Sequence, residues 1–418
     1  MKISVIGAGS SYTPELVQKI IEKRDTLPIK KVTLMDIDEK RLDIIFGYFK
    51  RVTAKAELDI EIMATTDRRE AIIGSDFVIT QIRVGGNQAR AQDSKIPLEY
   101  DCIGQETTGP GGFANGLRTI PVMVEIANEV AELAPDAWIV NYANPTGLIA
   151  EAVQKYTKAK IVGLCSGTIQ AAEYISKALN VPMESVYYDF FGLNHLNFAY
   201  NIKIDGKPLA DGEFDKIAET SKLESELVKT LGVWPITYLQ YYFYTRDRLA
   251  KQKAKDKVRA EVIMELEKEL FAVYADENVT SRPDILNKRG GDGYSDMAFG
   301  FIDATWNNNT KWLIVNTQNN GAYRYLPDDA VIEVPCMINK AGVHPMAVNE
   351  VPKMIWGLVA SVKNYEQLTV EAAMTGDKTT ALYALMAHPL VRDFEVAKGL
   401  LTDLLEANKK YLPNFFKD

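Results

Sequence analysis

Histidine and cysteine are both scarce in this chain of 418 residues, three of each. With only His195, His344 and His388, a multi-histidine zinc-type site is excluded by count. Cys102, Cys165 and Cys336 are too few, and odd in number, for a disulfide framework, which fits free thiols in a reducing compartment. No apolar run approaches the roughly 18 residues of a membrane span. The opening "MKISVIGAGSSY" has neither the apolar core nor the small-residue cleavage site of a secretory signal, so a cytoplasmic protein with no membrane partner is expected. Basic clusters are missing too: the net charge is -8, and nucleic acid is excluded as the main partner because phosphate neutralisation needs clustered Lys and Arg. The last absence is a glycine. "GAGSSYTPEL" begins like the dinucleotide fingerprint Gly-x-Gly-x-x-Gly, with Gly7 and Gly9 in place, but the third position holds Tyr12.

What is present reads as an ordinary globular composition, 47% hydrophobic and 25% charged, in a chain long enough for two domains or one composite core. Strand and helix signals alternate from "KISVI" through "KVTLM", "EIMAT", "DFVIT", "AWIVNY" and "KIVGLC", which predicts a parallel sheet with helical crossovers. "SVYYDFFGLNHLNFAYNIKIDG" predicts paired strands, and "TTGPGGF" reads as a loop. From about Lys222 long helical segments are expected, above all "KAKDKVRAEVIMELEKELFAVY", followed by strands in "KWLIVNTQNNG" and "AVIEVPCMI" and two terminal helices. The expected organisation is α/β: a Rossmann-like parallel sheet over residues 1–165 and a mixed α+β domain over 166–418, of the lactate and malate dehydrogenase type.

Function is sought at the ends of the predicted parallel strands, where open α/β sheets bind ligands. Gly7 and Gly9 suit a turn that lets a pyrophosphate approach the backbone. Ser10 and Ser11 add hydroxyl donors, and Asp36, at the end of the second strand, can accept from adenosine ribose hydroxyls, which favours NAD over NADP. Arg90, Glu106, Asn144 and Cys165 recur in polar clusters just after later strands. Cys165 and His195 would meet if their strands neighbour each other, and a thiolate with an imidazole and open positions suits a divalent transition metal.

Taken together, "GSSYTPEL", "IGQETTGPGG", "NYANPTG", "GLC", "FGLNH" and "TYLQYY" resemble glycoside hydrolase family 4, over essentially the whole chain and nearest its 6-phospho-β-glucosidase branch. That family is an exception to two-carboxylate glycosidases, and it reads Gly-x-Gly-Ser in its nucleotide turn. The resemblance implies NAD and a divalent metal, usually Mn2+, as cofactors. It makes Cys165 and His195 the metal ligands, Arg90, Asn144 and Arg259 substrate-binding residues, Tyr238 the catalytic base and Glu106 a carboxylate that assists that tyrosine. The implied reaction is redox-neutral: hydride leaves sugar C3 for NAD+, Tyr238 takes the acidified C2 proton, the metal stabilises the enediolate, and the C1 substituent is eliminated before water adds and hydride returns. The implied substrate is a phosphorylated disaccharide or aryl glycoside, and the implied assembly a homo-oligomer, dimer or tetramer. Ser166-Gly167-Thr168 stands after Cys165 where the 6-phospho-β branch usually carries Asn-Val-Pro, the 6-phospho-α branch Asp-Met-Pro and the α-galactosidase branch His, so the chain departs from its nearest branch here and the proton donor has no assignment. The alternatives are another specificity of the family (α-galactosidase, α-glucuronidase or 6-phospho-α-glucosidase) and a net NAD-dependent 2-hydroxy-acid dehydrogenase.

Overall fold

The computed structural model describes residues 1–290, 293–348, 350–391 and 393–417. Six strands, β1 (Lys2–Ile6), β2 (Lys31–Met35), β3 (Glu61–Thr65), β4 (Phe77–Thr80), β5 (Trp138–Asn141) and β6 (Lys160–Gly163), form a parallel sheet in the order β3-β2-β1-β4-β5-β6. Apart from β3, which is largely part-exposed at the edge, these strands are almost wholly buried, as expected when helices cover both faces of a parallel sheet. Alternate residues feed two cores: Ile79, Val140 and Val162 pack into one, Val78, Ile139 and Ile161 into the other.

The same sheet continues into the second half through antiparallel strands. These are β7 (Val186–Leu193), β8 (Leu196–Ile204), β9 (Lys207–Pro208), β10 (Trp234–Pro235), β11 (Lys311–Gln318), β12 (Val331–Asn339) and β13 (Gly342–Pro345). Past β6 the order is β11-β12-β7-β8-β10, so β6 and β7, which carry the approaches to Cys165 and His195, are not neighbours. Two strands laid down more than a hundred residues later separate them. Among the described residues, no helix is long and apolar enough to cross a membrane.

Two expectations need correction. "TTGPGGF" is not a loop: the helix Gly109–Leu133 starts inside it, with its first residues buried. The glycines are required by contact, since a Cβ at Gly111 would lie 2.3 Å from the Gln105 carbonyl oxygen and one at Gly112 2.2 Å from that of Thr107. The region after Lys222 is also less helical than its charge pattern suggests. Between Lys222 and β11 it holds helices at Ser225–Leu231, Gln240–Phe243, Thr245–Lys253, Arg259–Ala275 and Tyr294–Trp306, with 3-10 turns at Thr237–Leu239 and Asp284–Arg289, and the expected long helix begins only at Arg259.

Helix Gly109–Leu133 is fastened to helix Gly86–Glu99 by a fully buried bidentate ion pair, Arg118 to Asp93 at 2.8 and 2.5 Å, with Arg118 also donating to the Val84 carbonyl and Asn408. Asp93→Asn strands a guanidinium in the core and is expected to destabilise the fold by about 3–5 kcal/mol, read as a lower urea midpoint at unchanged slope.

Candidate active site

The N-terminal glycine turn opens a cleft of about 840 Å³ along the ends of β1, β2, β4 and β5, lined among others by Gly7, Gly9, Ser10, Asp36 and Asn144. Gly7 has φ +91°, and a Cβ there would meet the Ile82 nitrogen at 2.9 Å. The turn is tied to the end of β2: the Gly7 and Ala8 amides donate to the Met35 carbonyl, and the Gly9 amide donates to Asp36 Oδ2 at 2.7 Å. Gly9 is needed because a Cβ there would sit 2.8 Å from that same oxygen.

Tyr12, at the missing third glycine, is buried with its ring edge-on to Tyr294 (centroids 6.3 Å apart). It therefore serves packing against the second half of the chain rather than close helix–strand approach. Ser11 is fully buried and lies outside the cleft lining; its hydroxyl donates to Glu267 Oε1 at 2.8 Å and accepts from Arg289 Nε at 3.0 Å. Glu267, on helix Arg259–Ala275, also takes Arg41 and Asn87, so one carboxylate from the second half holds the outer wall of the nucleotide-type cleft together.

Deeper in, Glu106 has both oxygens held by guanidinium groups, one by Arg83 and the other by Arg90 at 2.5 Å. Burial raises its pKa, but the two arginines outweigh that and hold it at about 2. Burial brings Arg90 down to about 10. Among the described hydrogen bonds Glu106 has none to Tyr238; its charge raises the phenol's pKa, while its partner Arg90 lowers it. The loop bearing Glu106 is clamped by Gln252, which accepts from the Gly104 amide and donates to its carbonyl.

Cys165, just past β6, and His195, in the two-residue turn between β7 and β8, belong to one cluster although their strands are not adjacent. The Cys165 sulfur receives hydrogen bonds from the Gly167 and Thr168 amides and from the Asn194 side chain. Ser166-Gly167-Thr168 thus forms a 3-10 turn that aims backbone donors at sulfur, and Gly167 allows it to close, since a Cβ would meet Ile236 at 2.6 Å. His195 takes φ +64°, uncommon for a side chain of its size, and its Nδ1 is buried without a partner. Burial lowers its pKa to about 4, which leaves the ring neutral near pH 7.

Tyr238 lies flat on the His195 ring, centroids 3.7 Å apart and planes 7° from parallel. Burial, followed by the Cys165 and Glu106 charges, pushes its phenol above the usual value, and Arg90 pulls it back. Tyr294, hydrogen-bonded to Asn144, joins this cluster to the inner end of the cleft. Arg259 stands apart, exposed at the start of its helix with Nη2 on the Lys288 carbonyl, though within electrostatic range of Arg90 and Arg289. Among the described residues no group of three or more His, Cys, Asp or Glu side chains converges as a metal cage.

Sequence reasoning passed over several of these residues. Arg83, in the "RVGG" stretch just after β4 and seven residues before Arg90, had the same readable signal, a polar cluster following a parallel strand. A lone acid inside the apolar run "AVIEVPCMI" was a readable signal for Glu333. Glu267, Arg289 and Tyr294 carried none, because charged and aromatic residues on helices ordinarily face solvent or core.

A Rossmann-type sheet extended by an antiparallel half is the architecture of malate dehydrogenases, and the enzyme of Plasmodium falciparum in complex with NADH superposes with TM-score 0.55, at 15% identity, over 90% of this chain and 99% of that one. The family is narrower than the fold. Residues 2–181 match the model of the family 4 glycosyl hydrolases and residues 190–391 that of their C-terminal domain. The chain is 43% identical to a probable 6-phospho-beta-glucosidase of Bacillus subtilis, over 100% of this chain and 98% of that one. It superposes with TM-score 0.91, at 35% identity, on 99% of the 6-phospho-beta glucosidase of Thermotoga maritima, a structure with manganese, NAD+ and glucose-6-phosphate, covering 98% of this chain. The chain belongs to the family 4 glycosyl hydrolases, which decides for glycosidase over net dehydrogenase.

Proposed function

We propose that this chain is a 6-phospho-β-glucosidase that uses NAD+ and a divalent ion, manganese by preference, to cleave phosphorylated disaccharides or aryl glycosides. One observation carries the reading: the base-type tyrosine, the orphaned imidazole and the donor-ringed thiol form a single cluster that Tyr294 and Asn144 join to a dinucleotide-sized cleft. Full-length similarity to 6-phospho-beta-glucosidases supports the substrate.

The residues fit both groups. Gly7, Gly9 and Ser10 border the space for the dinucleotide, and Asp36 is positioned for its ribose, with Ser11 acting indirectly through Glu267 and Arg289. Cys165 and the unpartnered His195 Nδ1 suit a divalent ion and leave positions open for sugar oxygens or water. In this division, residues 1–165 hold the dinucleotide, and the metal and substrate site draws Arg90, Glu106, Asn144 and Cys165 from them and His195, Tyr238 and Arg259 from residues 166–418. When bound, NAD+ supplies a hydride acceptor for C3 and the metal a Lewis acid for the neighbouring oxygens.

Tyr238 removes the C2 proton. Its phenol needs cationic help to ionise, because burial and the nearby acids act against it. Glu106 contributes by fixing Arg83 and Arg90 beside the reacting sugar rather than by contacting Tyr238. Arg90 and Asn144 bind sugar hydroxyls, and Arg259, at the exposed edge, takes the 6-phosphate together with its arginine neighbours.

The deciding assay is a panel of α- and β-linked chromogenic glucosides and galactosides, with and without 6-phosphate, run with NAD+, Mn2+ and a thiol reductant. Turnover confined to the 6-phospho-β-glucoside is expected; equal turnover of the unphosphorylated glycoside, or preference for the α-anomer, refutes the specificity. A second expectation concerns the dinucleotide: Asp36→Ser removes the carboxylate that repels a 2'-phosphate and should lower the NAD+ over NADP+ affinity ratio by about tenfold or more, measured by fluorescence titration.

A further inference from the structure

A single transverse row of paired residues joins the two halves of the sheet. Gly163 on β6 pairs with Asn316 on β11, Asn316 with Glu333 on β12, Glu333 with Gly192 on β7, and Gly192 with Asn197 on β8. For β6 with β11, and for β12 with β7, that pair is the whole of the registered contact. Cys165 lies two residues beyond one end of the row, and His195 lies between Gly192 and Asn197 at the other.

Glu333 is the middle of this row and is fully buried. It accepts from Asn316 Nδ2 at 2.7 Å and from Asn197 Nδ2, with Asn194 Nδ2 at 3.5 Å. Each amide leads to a candidate ligand: Asn316 Nδ2 also reaches the Gly163 carbonyl, and Asn194 and Asn197 flank His195, with Asn194 also hydrogen-bonded to the Cys165 sulfur. The row is closely packed at both ends. A Cβ at Gly163 would lie 2.9 Å from the Asn316 Cβ, and one at Gly192 would lie 2.1 Å from the Leu196 carbonyl oxygen. A carboxylate inside an otherwise apolar strand is costly to bury and adds nothing to apolar packing. Its use is to gather amides from β11, β8 and the β7–β8 turn across the two junctions, β6 with β11 and β12 with β7, that are each registered through one pair.

We infer that Glu333 is a positioning residue for the metal site: by holding Asn316, Asn197 and Asn194 it sets the spacing of the strand end that bears Cys165 from the turn that bears His195, and thereby the strength of divalent-metal binding. The inference rests on the reading of Cys165 and His195 as the ligands. It assigns Glu333 no contact with metal or sugar.

The test is the Mn2+ affinity of the full-length apoprotein, read from the electron paramagnetic resonance of free Mn2+, beside NAD+ affinity and the visible spectrum of the Co2+-loaded protein. Glu333→Met, which keeps the bulk and removes the acceptors, is expected to weaken Mn2+ by about 10–100-fold, the usual range for loss of a group that orients a ligand. It should also shift the thiolate-to-Co2+ band while NAD+ affinity stays within about twofold. Glu333→Gln is expected to recover most of the loss, because Asn197 can turn its unpartnered Oδ1 toward the new amide. Should Glu333→Met fail to fold, Asn316→Ser cuts the same row at the Gly163 side and is expected to weaken Mn2+ without moving NAD+ affinity. A folded Glu333→Met or Asn316→Ser protein with native Mn2+ affinity and Co2+ spectrum overturns the inference. Cys165→Ser separates the two levels: if it leaves Mn2+ affinity unchanged, the ligand reading fails and this inference with it, whereas if it abolishes binding while the Glu333 variants bind normally, the inference alone fails.

Discussion

Tyr238→Phe is expected to lower kcat by about 10²–10⁴-fold, the range for losing a positioned general base, and to stop solvent deuterium entering the sugar at C2. The variant keeps the ring that lies on His195, so Mn2+ and NAD+ affinities should be close to native. This combination separates the hydroxyl from the stacking surface. A Phe variant that still exchanges the C2 proton at the native rate removes Tyr238 from the reaction. Burial and the adjacent acids oppose ionisation of this phenol and Arg90 offsets them only in part, so in the native protein proton exchange should also depend on added metal.

Loss of the thiol has the second large effect. Cys165→Ser is expected to abolish measurable Mn2+ binding at micromolar metal and glycosidase activity with it, while NAD+ still binds, because the glycine turn and Asp36 line the cleft and Cys165 does not. The pH dependence follows from the free site. Burial, with the nearby Glu333 charge, raises the Cys165 pKa, so the thiol is protonated at neutral pH, whereas His195, brought down to about 4, is already neutral. Metal uptake therefore releases a proton from sulfur and none from the imidazole, while Glu333, raised by burial to about 8, is itself largely protonated below that pH and adds to the proton release where it ionises beside the metal. Mn2+ affinity should rise about tenfold or more per pH unit between pH 6 and 8. A pH-independent affinity across that range would show that the sulfur does not ionise on binding.

The parallel half was legible because its signals are local. A short apolar run, a glycine turn and a periodic helix follow one another within a few tens of residues, and each fixes its own conformation whatever the rest of the chain does. Asp36 could be placed at a strand end for the same reason. The misread stretches show the limit: "TTGPGGF" has loop composition, yet its glycines serve contact between a helix start and the backbone beside it, which composition does not encode.

The site itself was only half local. Motif order sufficed to nominate Cys165, His195 and Tyr238, but the expected means of bringing the first two together, neighbouring strands, is not the one the protein uses. β11 and β12 enter between β6 and β7, and a buried carboxylate with three amides spans the gap. Likewise Tyr12 finds its reason in Tyr294, and Ser11 in Glu267 and Arg289, all more than 250 residues away. The amino-acid order by itself determined the strands of the parallel half, the nucleotide-type turn and the family motifs, since backbone preference and side-chain periodicity act over neighbouring residues. Only the tertiary structure decided that Glu106 is held by two arginines, that Tyr238 lies on His195 and that Glu333 lies in the row between the two metal-site candidates, because hydrogen bonds and stacking require atoms within a few ångströms and the chain's path alone brings them there.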